Sequence, residues 1–439
     1  MRAMFAIAVA SVALGTGIAC ATSDETGEVS QDEGRDSVAV DASVDAAPPA
    51  DAAVDEPPVP STCSPAGWCR TPLPDADLTL IDIWPFKARA FAVAVSSTLG
   101  AKVMEWVEAE QRWTYIDDDT QNADGFGRYV GTLWAPNEDE LYYTVEPGYV
   151  YHGRRGDPWA WERELLLPAS VVAAGRDTSA PVANAPDTAS LGVWGTGAND
   201  VYAWRADTIY RRESVDGGAP AWVEDYVGPG LPNRVVILGA GGSGKDDVWF
   251  SGGNGGTNNN TLTCPFLLRR SAEGYRAVVD GTFARVGARS SCNARPGTVP
   301  LTGPGATMAT TQGDTGALTD VHVGADGDVV ALRYASTLTR LVPGDGGFVS
   351  TSEKLYSPAY SPGATFTFTS LWVLDDEAWL SGPGLVLHGP VDGDAGAFRY
   401  STVALDGAPL DRTIYRVRGT DESNLWAIGA RNAFHKTSP

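Results

Sequence analysis

The chain contains four histidines and five cysteines, and little else whose type and spacing suggests catalysis. A catalytic metal centre needs ligands grouped by local spacing. No HExxH run or clustered Cys/His set occurs, so neither a metal nor a cofactor is expected. His152, His388 and His435 fall at the same point of a recurring segment that elsewhere holds Glu105, Arg211, Arg269 and Arg340. A polar position repeated so regularly reads as an exposed strand position. His322 belongs to a different column, otherwise mostly tryptophan, where a packed or capping role is expected. The acidic turns Asp117-Asp118-Asp119, Asp375-Asp376-Glu377 and Asp392-Gly393-Asp394 offer oxygen ligands, but not the full alternating run of a calcium loop. They read as solvated hairpin turns. No serine stands in a nucleophile-elbow context and no glycine-rich loop opens a helix, so no catalytic residue is assigned.

The elements that must position these residues form a repeat. Its first part reads IDIWPFKARAFAVAV (81–95), GTLWAPNEDELYYTV (131–145), LGVWGTGANDVYAWR (191–205) and VVILGAGGSGKDDVWFSGG (235–253). It continues as LTDVHVGADGDVVALR (318–333), TSLWVLDDEAWLSG (369–382) and IYRVRGTDESNLWAIG (414–429). Trp84, Trp134, Trp194, His322 and Trp372 share one column. Ala92, Tyr142, Tyr202, Trp249, Val330, Trp379 and Trp426 share a second. Each copy continues into a third strand and then a fourth, which opens on Trp113, Trp161, Trp222, Tyr275, Phe348 or Phe398. Four short strands per unit, with period-2 alternation, predict an all-β chain whose body is a single β-propeller of seven four-stranded blades. A β-sandwich is the alternative.

The seventh copy reaches Pro439 without a fourth strand, and a spare strand lies upstream in GWCRTPL (67–73). Trp68 would then stand where the other fourth strands open. This N-terminal strand would complete the last blade and close the ring without exposed sheet edges.

The formal net charge of -23 argues against a nucleic-acid partner, which would require a basic footprint. Much of the charge lies in residues 21–60, which hold eleven acids, one base and no aromatic residue. Such a stretch buries too little apolar surface to offset its ordering entropy, and reads as a disordered acidic Ala/Asp/Pro tether. Before it, Arg2 is followed by an almost unbroken apolar run ending Gly17-Ile18-Ala19-Cys20. This resembles the signal peptide and lipobox of bacterial lipoproteins. The resemblance implies a signal peptide over 1–19, a lipid on Cys20, a tether over 20–60 and a propeller over 61–439. An ordinary secretory signal cut near Ala19 is the alternative. Ala21, where aspartate signals inner-membrane retention in such lipoproteins, implies the outer membrane of the cell envelope.

The four remaining cysteines suggest two disulfides in an oxidising compartment. Cys63 and Cys69 are close in sequence. Cys264 and Cys292 lie on connections that emerge at the same end of an antiparallel meander, so Cys63–Cys69 and Cys264–Cys292 is the expected pairing. Free buried thiols are the alternative. Ser214 to Trp222 is similar to the Asp-box turn of sialidases, a structural device that implies the fold and no activity. Val193-Trp194-Gly195 with Asn199-Asp200-Val201-Tyr202, and Val417 to Gly429, resemble uncharacterised myxobacterial-type propeller lipoproteins. That family carries no activity to transfer.

The function expected is a monomeric, non-enzymatic recognition or scaffold module, binding a protein or glycan at the envelope and touching membrane only through its lipid. The alternative is an extracellular carbohydrate hydrolase or lyase using acids in the central channel. The longest connections, 168–190, 254–264 and 287–317, all leave at the end where second and fourth strands finish. Arg176, Asp177, Asn258, Asn259, Asn260, Arg289, Asn293 and Arg295 are therefore the candidate ligand-face residues. The anchor is directly testable. Two or three acyl chains give stable attachment, so Cys20→Ala should move the protein from the detergent phase to the aqueous phase on phase partitioning. Retention in the detergent phase would defeat the lipoprotein reading.

Overall fold

The computed structural model describes residues 63–438, except 124, 126–127, 167–189, 215–216, 230–233, 255–262, 287–288, 302–314, 335, 356–366, 394 and 405–409. The signal segment, Cys20 and the tether thus lie outside the described residues.

The described chain begins with β1 (Trp68–Arg70). The first blade follows as β2 (Thr79–Pro85), β3 (Arg89–Ser96), β4 (Gly100–Val107) and β5 (Arg112–Tyr115), and the second as β6 (Val130–Asn137), β7 (Glu140–Val145), β8 (Tyr149–Arg154) and β9 (Ala160–Leu165). Blade three is β10 (Leu191–Gly197), β11 (Asp200–Arg205), β12 (Thr208–Ser214) and β13 (Pro220–Val227). Blade four is β14 (Val235–Gly244), β15 (Asp247–Asn254), β16 (Cys264–Ser271) and β17 (Gly274–Val279), followed by a hairpin, β18 (Gly281–Val286) and β19 (Arg289–Ala294). Blade five is β20 (Leu318–Val323), β21 (Val329–Arg333), β22 (Thr337–Gly344) and β23 (Gly347–Lys354). Blade six is β24 (Ser370–Leu374), β25 (Glu377–Gly382), β26 (Leu385–Pro390) and β27 (Arg399–Ser401). The seventh consists of β28 (Ile414–Asp421), β29 (Asn424–Gly429), β30 (Asn432–Lys436) and, from the other end of the chain, β1. Each first strand touches the first strand of the next blade, and β28 touches β2, so the ring closes on itself.

A seven-sheet ring has no single core. Among the described residues the buried apolar side chains form seven clusters, one between each pair of neighbouring blades. An aromatic within the first three residues of the fourth strand makes the bridge. Trp113 packs on Trp426, Trp222 on Tyr142, Phe348 on Trp249 and Trp68 on Trp379, at centroid distances of 5.3, 6.5, 5.3 and 6.4 Å. In each pair the fourth-strand ring meets a second-strand ring of the preceding blade. Edge-to-face packing of this kind adds roughly 0.5–1.5 kcal/mol to the burial of the rings themselves.

The shared seventh blade follows the expected register. Trp68 pairs with Lys436, one residue past His435, as Trp161 pairs with Gly153 and Trp222 with Arg212. Trp68 is fully buried and donates its indole N–H to Ser401 Oγ of blade six at 2.8 Å. Thr71 returns to Ala433 through its backbone N–H, and its hydroxyl accepts the Trp113 indole N–H at 3.1 Å.

Two expectations need correction. The polar column is not an exposed strand position, because Glu105, His152 and His435 are buried and the other four members are half-buried. Its side chains lie across the second-strand aromatic beside them: His152 stacks on Tyr142 at 4.2 Å, His388 on Trp379 at 4.5 Å and His435 on Trp426 at 4.1 Å. An acid or amide two residues before that aromatic then binds the polar group. Glu140 meets His152 at 2.6 Å, Asp247 meets Arg269 at 2.8 Å and Asn424 meets His435 at 2.9 Å. Buried polar groups must be paired, and in blades two, four, six and seven the repeat supplies the partner two residues before the aromatic.

The second correction concerns Asp117-Asp118-Asp119, which follows a fourth strand and is no hairpin turn. Asp117 is buried, accepts the Val103 backbone N–H at 2.9 Å and shares Lys102 with Asp119. Its oxygens therefore serve the blade. Asp375 and Asp376 do form the β24–β25 turn, and Glu377 pairs with His388 at 2.9 Å.

If β1 closes the ring, Trp68→Ala should cost about 3–5 kcal/mol, the range for removing a buried tryptophan, and lower Tm accordingly. Deleting residues 21–60 should leave Tm unchanged. Equal melting of the two variants by calorimetry would refute the shared blade.

Candidate functional site

Alternate residues of the seven first strands line the central channel in two layers. The lower layer contains Asp82, Thr132, Gly192, Gly239, Asp320, Ser370 and Arg416, each two residues before its partner in the upper layer. The upper layer is Trp84, Trp134, Trp194, Gly241, His322, Trp372 and Arg418. Its cross-strand partners include Tyr142 for Trp134, Tyr202 for Trp194, Trp249 for Gly241 and Trp426 for Arg418.

The lower layer joins blades. Asp82 accepts the Leu133 N–H of blade two at 2.9 Å, and Asp320 the Leu371 N–H of blade six at 3.1 Å. Thr132 and Ser370 act alike, accepting the Val193 N–H at 2.7 Å and the Val417 N–H at 3.0 Å. Arg416 spans the channel between Asp82 at 3.4 Å and Asp320 at 2.9 Å, while Arg418 approaches Asp82 at 3.3 Å. Two cations and two anions thus close a neutral group. Burial opposes the charge on Arg416, but the two aspartates more than offset it, and its pKa is held above the ordinary arginine value. Arg418 is pulled the other way by burial, though a guanidinium stays charged at any physiological pH.

The upper layer is an aromatic collar. The Arg418 guanidinium lies 5.0 Å from the Trp84 ring centroid and 5.6 Å from that of Trp372, and its Nη1 donates to the Ile83 carbonyl at 3.1 Å. Trp84 meets Trp134 and Trp372 edge-on at 6.4 and 6.1 Å, and His322 meets Trp372 at 5.6 Å. Two of the indoles need a bare backbone on the next blade. A Cβ on Gly195 would stand 2.8 Å from Trp134, and one on Gly242 would stand 2.9 Å from Trp194. That contact is the physical content of the Val193-Trp194-Gly195 motif. At the mouth of the collar a cavity of about 280 Å³ opens, lined by Trp84, Trp194, Gly241, Ser243, His322, Trp372 and Arg418 among others. Burial pushes the His322 pKa down to about 4, so the imidazole that faces it is neutral near pH 7. The packed role expected of His322 is thus half of its description, since it also walls a cavity.

The opposite end carries the long connections. They run over 116–129, 166–190, 255–263, 295–317 and 355–369, whereas the turns after first strands span two to five residues, as in 138–139 and 324–328. Cys264 and Cys292 are disulfide-bonded, as are Cys63 and Cys69, in the expected pairing. The first bond fastens the β18–β19 hairpin to the start of β16, so the 287–317 connection is partly built of strand, which its sequence did not suggest. Asn293 is exposed on β19, and Arg295 just after it pairs with Asp280 at 2.9 Å. Arg289 opens β19. Arg176, Asp177, Asn258, Asn259 and Asn260 lie outside the described residues, as does Asp216 of the Asp-box segment. Among the described residues no group of three or more His, Cys, Asp or Glu side chains could hold a metal ion.

No protein-family model matches the sequence, and no curated protein matches it either. Solved structures do. The chain is similar to "YCF48 bound to D1 peptide", with a TM-score of 0.52 and 14% identity over 85% of this chain and 96% of that one. YCF48 from Cyanidioschyzon merolae gives the same TM-score at 12% identity, covering 85% of this chain and 99% of that one. The likeness is one of fold.

Sequence reasoning missed Asp82, Asp320, Arg416 and Arg418. The signal was present: charges at alternate positions of strands whose other face is apolar, two residues before a collar position or on it. The buried imidazoles make acid sensitivity predictable. Burial lowers the pKa of His152, His322 and His435. Unfolding restores the ordinary value near 6.5, so below that the unfolded chain binds more protons. Stability is complete above about pH 6.5 and falls as pH drops toward 4. His322→Phe should make the decline of Tm over that window shallower, and an unchanged slope would remove His322 from the account.

Proposed function

We propose that this protein is a non-enzymatic recognition and scaffold module, tethered to a bacterial cell envelope by the lipid on Cys20, which engages a protein partner at the long-loop end of the propeller. The observation that carries this reading is the asymmetry of the connections. Every connection longer than ten residues leaves at one end, and there the Cys264–Cys292 bond fixes the β18–β19 hairpin to the strand that follows the 255–263 connection. Cross-linking a loop before binding reduces the entropy lost when a partner orders it. Asn293 is exposed on the β18–β19 hairpin at that end, where it offers hydrogen-bonding groups suited to a polar protein face. A propeller of the same fold is described as bound to a peptide, which supports a protein partner here.

The hydrolase or lyase alternative is weakened by the channel itself. A general acid or base needs a carboxyl group free to exchange its proton with substrate. In Asp82 and Asp320 each oxygen instead accepts a backbone N–H, and one oxygen of each also faces an arginine.

Replacing 168–190 and 254–263 by tight turns should abolish capture of the partner by the anchored protein while leaving Tm within about 2 °C of wild type, as expected for changes that leave the blade strands intact. Retained capture by that folded variant would move the partner to the other end. Turnover of polysaccharide by the wild type, lost in Asp320→Asn, would instead favour the enzyme.

A further inference from the structure

The collar is interrupted at two adjacent blades. Four of the seven upper-layer positions are tryptophan and one is Arg418, but blade four has Gly241 and blade five His322. The cavity of about 280 Å³ lies against this break. It is therefore a consequence of a glycine and a histidine in a ring otherwise filled by tryptophans and Arg418. The Gly241 position cannot take a side chain without moving its neighbour, because a Cβ there would stand 2.7 Å from the Val321 carbonyl oxygen.

The groups around the break select a ligand class. Thr196 and Ser243 each donate their hydroxyl proton to the aspartate four residues on, Asp200 and Asp247, both at 2.6 Å. Their oxygens are left as acceptors toward the cavity. His322 is neutral and offers one donor and one acceptor, and no hydrogen bond among the described residues engages its ring nitrogens. Arg418 uses Nη1 on the Ile83 and Leu133 carbonyls, while its Nε and Nη2 have no acceptor among the described residues. Indoles form the walls. A cationic ligand is disfavoured, since the Arg418 guanidinium already lies over Trp84 and Trp372. A phosphate is disfavoured because the only cation lining the cavity is balanced by Asp82. A purely apolar group would strand the polar edge. Hydroxyls that both donate and accept, on a ring with an apolar C–H face, satisfy every group at once.

We propose that the break in the collar between blades four and five binds a single neutral hexopyranose unit of a glycan. The volume is just below the usual range of roughly 300–1,000 Å³ for ligand pockets, which suits one ring and not an oligomer. The site lies at the opposite end from the protein-binding loops, so the scaffold would join a protein at one end to a sugar at the other.

The test uses the full-length protein in a sugar-free detergent, titrated with glucose, galactose, mannose or N-acetylglucosamine and followed by tryptophan fluorescence. At least one sugar should bind with Kd on the order of 1 mM, as expected for one small ring. His322→Trp restores the collar and fills the cavity, and should abolish binding without lowering Tm. His322→Phe should weaken binding about tenfold through lost hydrogen bonds. The variant with 168–190 and 254–263 shortened should bind sugar as wild type does, so the sugar site and the protein-binding reading can fail separately. The proposal is overturned if none of the four sugars binds to the wild type. It is also overturned if binding survives in folded His322→Trp, or if inorganic phosphate or acetate competes at the same site.

Discussion

A propeller blade is a four-stranded sheet with two apolar faces and no partner of its own. Here each blade is completed by its neighbour, through an aromatic at the head of one fourth strand packed on the second strand of the blade before it. Trp113 on Trp426 and Trp68 on Trp379 are the pairs on either side of the seam, where the two ends of the chain share one sheet. Because the contact is between blades, the ring is stable only when it is closed. The short strand Trp68–Arg70 thus carries more weight than its three residues suggest. Its indole reaches blade six, while Thr71 just beyond it accepts a hydrogen bond from blade one.

That packing forces polar chemistry into buried places, and the chain answers it in two repeated ways. On the outer side of the second strand, a histidine or arginine stacks on an aromatic and is held by an acid or amide two residues before it. In the channel, Asp82 and Asp320 tie the backbone of the following blade and share Arg416, while Arg418 also pairs with Asp82. Both devices give the charges they bury a partner, which is the condition under which buried ions are tolerated. They also explain why a channel rich in acids and arginines is a poor candidate for acid–base chemistry, since its oxygens are committed to the scaffold.

With the interior committed, the free chemistry is left at the two ends. One end has the long connections and the Cys264–Cys292 cross-link. At the other, short turns expose a collar whose regularity is broken at Gly241 and His322. The two ends differ in what they offer: a disulfide-fastened hairpin at one, and a walled cavity at the mouth of the channel at the other.

The blade count, the shared last blade, both disulfides and the aromatic columns were legible in the sequence, except that Phe91 and not Ala92 holds the second-column position of blade one, opposite Trp84 and Glu105. All of these follow from periodicity and from the order of strands in an antiparallel meander, which are local properties. The burial of His152 and His435 was not legible, because a polar residue at a fixed strand position looks the same whether it faces water or a neighbouring blade. The hairpin at 281–294 was hidden for a related reason, since its pairing lies outside the repeat. The meaning of Asp82, Asp320, Arg416, Arg418 and the glycine at 241 required the ring itself. These residues are far apart in the chain, and only closure of seven blades brings their first strands around one axis. Sequence alone determined which strands exist and in what order. The tertiary structure decided which side chains meet across the channel, because that depends on the number of blades and the direction of their inner faces.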